Sequence, residues 1–381
     1  MSGPSDKENT DPAPGQKRGC AMLFPARKRP RHTDPIVRSG KHFGRTIYAV
    51  ADMQVLLTNG LQRLVDDNDG TAPIDELPAA DRQEQALFED LLKLIPGLSA
   101  RIEKGSAEEL SHLANMLQKG VDTARADDTK GLKAAVIDWI CEKGVRSDLS
   151  RNIKTNRGFQ NDRTGELLCP AAWDWKDPAV RKGLREGTTA VSGEHWPTFV
   201  YEGYTYDETQ PLRGLFKSSL LVCAYKYIFT SPSSVDSECK ATRSGNARLN
   251  GMSEVTLASI AYVATMVRFS LSSSACFSRT DYVTDSERFY KTVMELFNDV
   301  RVRSRLNELK NWWNMKIFPG SATTCASVLT DTPLARIRAM LEREEAEANA
   351  AAASAGEAGA GAGEAGGAGA GGMAPPVEAA A

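Results

Sequence analysis

The chain has 381 residues, 41% of them hydrophobic and 25% charged, with 47 Lys+Arg against 49 Asp+Glu for a formal charge of −2. These proportions suit a protein with a buried core and exclude a wholly disordered chain or one built of membrane spans. The balance is uneven along the chain: residues 1–45 carry ten basic and four acidic side chains, residues 344–381 six Glu and no base, and the long stretch between is close to neutral.

The first 44 residues are polar and rich in Pro, Lys and Arg, too apolar-poor to offset the entropy of ordering, and are expected to form a disordered head. Within it Lys17-Arg18 precede the run Arg27, Lys28, Arg29, Pro30 and Arg31. Importin-type receptors hold such accessible consecutive cations in acidic, aromatic-lined grooves. The run therefore reads as a nuclear-import signal and the chain as nuclear, with cytoplasmic residence as the alternative. The head has no apolar stretch of signal-peptide length. The most apolar run, Val255 to Val267, is well short of the roughly 20 residues a spanning helix needs, so no membrane partner is expected. Seven cysteines without a CxxC pair read as reduced thiols in an intracellular protein.

Helix signals then follow one another. Ile47, Val50, Leu57, Leu61 and Leu64 step by three and four, predicting an amphipathic helix over 46–65, with a loop over 66–80. Asp81-x-x-Glu84 reads as a capping box for a helix ended by Pro96-Gly97. Ser106-x-x-Glu109 reads as a second box, with Gly120 as its stop, and Asp128 as the cap of the helix after it. Asp177-Pro178 marks another start and Gly187 its end. Apolar helices are expected over 212–229 and 253–272, a helix opened by Thr284-x-x-Glu287, and a last one over about 300–316. From about 150 to 211 the pattern is irregular: 157–170 suits a short hairpin, and Phe199–Tyr206 is aromatic and β-prone. With no alternation of strand and helix, the expected fold class is mainly α. It is a multi-helix globular domain over 45–341 with a short irregular or β-hairpin centre, flanked by the disordered head (1–44) and a disordered Ala/Gly/Glu tail (342–381). Gly361-x-Gly363-x-x-Gly366 matches a dinucleotide fingerprint only formally, since no strand precedes it.

Three groups of residues could carry chemistry. Lys240, Arg243 and Arg248 lie in a Gly/Asn/Ser-containing loop that suits phosphate or nucleic-acid contacts. Cys169, in LLCP, is the best-placed nucleophile, with His195 downstream as its base. Asp281 and Asp285 are close enough to share a Mg²⁺, and equally suit turn and capping positions. The four histidines have no ligand spacing, so neither a metal nor a cofactor is expected.

The segments RGFQNDRTGELLCP (157–170), GLFKSSLLVCAYKYIFTSPSS (214–234), KATRSGNARLNGM (240–252) and SSSACFSRTDYVTDSERFY (272–290) resemble a large, expanded family of basidiomycete fungal proteins classed as a domain of unknown function. RTIYAVADMQVLLTNGL (45–61) resembles its start and WWNMKIFP (312–319) its end. The resemblance implies a mushroom-type fungal source and an intracellular protein, and it carries over no catalytic residue. The expectation is thus a nuclear helical protein that binds nucleic acid or another protein and an import receptor, without catalysis. The alternative is a Cys- or Mg-dependent hydrolase or transferase using Cys169, His195, Asp281 and Asp285.

Overall fold

The computed structural model describes residues 33–68, 78–141, 148–235, 245–277 and 285–319, with Arg336, Ile337, Met340, Leu341 and Arg343. The first helix starts inside the expected head. α1 (Pro35–Thr46) opens on Asp34, whose carboxylate accepts from the Ile36 amide at 2.8 Å, with Pro35 at the first helical position. It buries Val37 and Phe43, so residues 35–44 belong to the folded body. The helix expected over 46–65 is split: α1 ends at Thr46, and α2 (Met53–Asn68) begins where Asp52 accepts from the amides of Gln54 and Val55.

α3 (Ala79–Leu94) follows Pro78 without a side-chain cap. The expected box at its start is not formed, because Glu84 faces α2 and accepts from Asn59 Nδ2 at 2.9 Å and Arg63 Nη2 at 2.8 Å. After α4 (Leu98–Lys104), Ser106 caps the 34-residue α5 (Ala107–Ile140) by accepting from the Glu109 amide. Gly120 does not stop this helix. It is where α1 crosses it: a Cβ there would sit 2.4 Å from the Val37 carbonyl oxygen, and one on Gly40 would sit 2.3 Å from that of Leu117. Asp128, expected as a cap, lies in mid-helix and is buried.

The centre is irregular, as expected, but made of short helices. A 3-10 turn at Gly158–Gln160 leads into α6 (Asp162–Leu168), capped by Asn161 accepting from the amides of Arg163 and Thr164, so 157–170 forms no hairpin. α7 (Pro178–Glu186) runs from the Asp177 cap to Gly187 in the left-handed region (φ 71°), as the sequence predicts. Phe199–Tyr206, expected to be β-prone, holds two 3-10 turns. Isolated bridges Pro170–Pro197 and Tyr201–Leu215 staple this region, and the described residues contain no sheet. α8 (Ser219–Tyr225) passes into a π-helical turn (Lys226–Thr230), then come α9 (Asn246–Leu249), α10 (Leu257–Leu271), α11 (Ser286–Asn298) and α12 (Arg303–Ile317).

α10 explains the arrangement. It is apolar all round, every residue from Ala258 to Leu271 is buried, and such a helix must be enclosed by others. It packs against α5, α11, α1 and α8. The C-terminal half of α5, through Leu132, Val136 and Ile140, joins the core around α10, while its N-terminal half, through Leu113, Leu117 and Val121, joins a second core with α1 to α4. Polar ties lock the three helices. Arg45 on α1 holds both carboxylate oxygens of Asp128 at 2.8 Å, and the Tyr262 hydroxyl on α10 donates to the same carboxylate at 2.6 Å. At the other end of α10, Lys154 Nζ donates to the Phe269 carbonyl at 2.6 Å and Arg157 Nη1 to that of Ser270 at 2.8 Å. Two cations thus meet the negative end of the helix dipole.

Candidate functional site

α9 is a single turn held down by side chains. Asn246 Nδ2 donates to the Ile228 carbonyl at 2.5 Å and Asn250 Nδ2 to that of Asn246 at 2.7 Å. Arg38, on the first turns of α1, donates through Nη2 to the Leu249 carbonyl at the end of α9. Arg248 and Arg38 are both exposed. One α1–α9 junction therefore carries two cations that stand 210 residues apart in sequence. Alongside, burial and then the charges of Arg45 and Arg38 lower the His42 pKa to about 4, so that ring is neutral. Lys240, Arg243 and Asp281 lie outside the described residues, as do Lys17, Arg18, Arg27, Lys28, Arg29 and Arg31.

The residues of the catalytic alternative are placed as follows. Cys169 is fully buried, its Sγ 3.7 Å from the Trp173 carbonyl oxygen, and burial, followed by the charge of Asp174, pushes its thiol up to about 12. A thiol held protonated is a poor nucleophile. His195 Nδ1 is 3.1 Å from the Ser192 amide and 3.0 Å from its hydroxyl, and the ring lies 5.2 Å from that of Trp173. No hydrogen bond joins Cys169 to His195 among the described residues. Asp285 adopts φ 40° and does not cap α11; its Oδ2 accepts from the Gly193 amide at 2.7 Å. Arg288 pairs with Glu194, and Trp196 Nε1 donates to Thr292 Oγ1 at 3.1 Å. His195 and Asp285 thus share a clasp between the 192–196 loop and α11, and Cys169 stands outside it.

Among the described residues, two of the surface clefts bear on these segments. One, of about 520 Å³, lies between the 210–217 segment and α11–α12, with Leu212, Phe216, Phe297 and Leu306 among its apolar walls and Arg213 and Arg305 at the rim. The other, of about 490 Å³, is walled by Trp173, Trp175, Tyr204 and Tyr206. Sequence reasoning missed this second cleft. Its only signal in the sequence is the aromatic density of Trp173-Asp174-Trp175 and Tyr204-Thr205-Tyr206; both segments are turns, so no strand or helix period marks them.

The fold and its sites define an all-α protein organised around an enclosed central helix. Within that class the chain belongs to the family described as "Family of unknown function (DUF6698)", whose model matches residues 119–318, from the middle of α5 through α12. No curated protein and no solved structure matches the chain.

Proposed function

We propose that this is a nuclear nucleic-acid-binding protein in which the basic head and the α9 face act as one surface. The observation that carries this reading is the hydrogen bond from Arg38 to the Leu249 carbonyl. The head runs directly into α1 at Asp34, so its root and the exposed Arg248 belong to the same face. Lys240 and Arg243 precede α9 by a few residues and would extend it. Contacts of this kind go to phosphates: they position a polyanion without reading its sequence. The run Arg27–Arg31 with Lys17-Arg18 would also engage an import receptor. The Ala/Gly/Glu tail is read as a low-complexity solubilising segment, and the quoted motifs support a basidiomycete source.

Fluorescence anisotropy with labelled duplex DNA and single-stranded RNA tests the reading. Affinity should fall with salt on a log–log plot, with a slope of about −0.9 per phosphate neutralised on duplex DNA. Arg248→Glu should weaken binding several-fold and reduce that slope by about one. No shift at low salt, or a flat salt dependence, would remove nucleic acid and leave a protein partner as the reading. Separately, deletion of residues 17–31 should abolish nuclear accumulation of a fluorescent fusion.

A further inference from the structure

The cleft of about 520 Å³ plays no part in the polyanion reading, and its wall presents apolar side chains to solvent. Leu212 is 40% exposed, and Leu296 and Val302 beside it are half-buried. Beneath them Phe216 and Phe297 are buried and meet edge to face, 5.2 Å between ring centres, which fixes the floor. The rim carries three cations, Arg213, Lys217 and Arg305, against two acids, Glu202 and Glu308.

The same chain carries a surface that matches. Arg336, Ile337, Met340, Leu341 and Arg343 are helical, and Ile337, Met340 and Leu341 stand 50%, 54% and 50% exposed. Positions i, i+3 and i+4 share one helix face, so the three side chains make one apolar strip left in water. A short helix is marginal by itself and gains its stability by covering such a strip. Four glutamates, Glu342, Glu344, Glu345 and Glu347, run along and beyond its end against one base, Arg343. The segment's excess charge is thus opposite to that of the rim.

Reach is sufficient. α12 begins beside the cleft and carries the chain to Ile317, about 22 Å away at 1.5 Å per residue. Seventeen residues separate Pro319 from Arg336, and such a stretch can span up to roughly 60 Å. A tethered segment that can bridge its gap meets its site at an effective concentration on the order of millimolar, far above that of a second molecule in micromolar solution. Tethering therefore selects the chain's own segment as the occupant.

We propose that the segment around Ile337–Leu341 docks as an amphipathic helix in this cleft of the same molecule. Ile337, Met340 and Leu341 cover Leu212, Leu296 and Val302, and the glutamates that follow lie toward Arg213 and Arg305. This is helix-in-groove recognition through i, i+3 and i+4 anchors. The cleft shares no residue with the α1–α9 junction, so each can fail without the other.

Hydrogen–deuterium exchange of the full chain, read by mass spectrometry, is the test. Peptides covering residues 334–345 should exchange about tenfold or more slowly than an unstructured chain. Ile337→Asp with Leu341→Asp, both at exposed positions, should abolish that protection. Leu212→Asp, more than a hundred residues earlier in the chain, should abolish it too, with a melting temperature within a few degrees of the parent. Arg305→Glu, at an exposed position, should weaken the protection several-fold and keeps the test decisive if Leu212→Asp disturbs the fold. A helix stable by itself would be indifferent to Leu212 and Arg305. Protection unchanged in both variants, or full exchange of 334–345 in the unaltered chain, would overturn the proposal. Equal protection across about a hundredfold dilution, with a monomeric mass by light scattering, is the expected result. Protection lost on dilution together with a dimeric mass would place the segment in a second copy and overturn it as well.

Discussion

At the residue scale, the Arg45–Asp128–Tyr262 group is the most costly to disturb. All three side chains are buried, and removing one charge strands the other where water cannot reach it. Asp128→Ala should destabilise the protein by about 3–5 kcal/mol in urea denaturation, whereas a substitution at an exposed acid such as Asp127 should change stability by less than about 1 kcal/mol. His42 supplies a pH dependence. Its folded pKa of about 4 lies below the ordinary 6.5, so between those values the unfolded chain takes up a proton that the folded chain refuses. Stability should therefore fall as pH drops from 6.5 toward 4, by about 1–2 kcal/mol once partial solvation of the ring is allowed for. His42→Gln should flatten that part of a stability-versus-pH curve. Neither Asp128 nor His42 was legible in this role. An acid ahead of an apolar run is locally identical to a cap, and the Arg45 that decides otherwise is 83 residues away.

At the scale of the element, local signals succeeded where both partners of an interaction are neighbours in the chain. Ser106 and Asp177, both read as helix starts, cap the helices that follow them, whereas Asn161, in the segment expected as a hairpin, and Thr256, inside the helix expected over 253–272, are caps that were not read. The Asp34-Pro35 pair carried the same information as Asp177-Pro178, and the basic composition around it masked it. Glu84 and Gly120 misled because each answers to another helix: Glu84 to Asn59 and Arg63, Gly120 to the backbone of α1. Gly120→Ala tests this directly. In an isolated helix the change would help by about 1 kcal/mol. Here the added Cβ meets a carbonyl oxygen at 2.4 Å, and overpacking of about 1–3 kcal/mol should outweigh the propensity gain. A lower melting temperature for Gly120→Ala is the expected result, and a higher one would show that α1 can move aside.

At the scale of the molecule, α5 joins the two cores and α1 lies along it, so the family-matched span is not self-sufficient. Residues 119–318 leave out Arg45 and Phe43 and begin in the middle of α5. A chain starting at Thr33 should melt cooperatively like the full protein. A chain starting at Ile47 loses the buried Phe43 and the partner of Asp128, and should lose its cooperative transition while gaining dye-binding apolar surface. Circular dichroism melts and a hydrophobic-dye titration distinguish the two.

The sequence by itself determined the helical class, the enclosed apolar helix near residue 260 and the irregular centre, because period, caps and Asp-Pro starts are properties of neighbouring residues. Only the tertiary structure decided which acids cap and which pair, that Arg38 meets α9, that Cys169 and His195 stay apart, and that four aromatic rings line one cleft. Those outcomes depend on contacts between segments tens to hundreds of residues apart. The chain's local chemistry permits many such pairings, and the packing around α10 and α5 selects one.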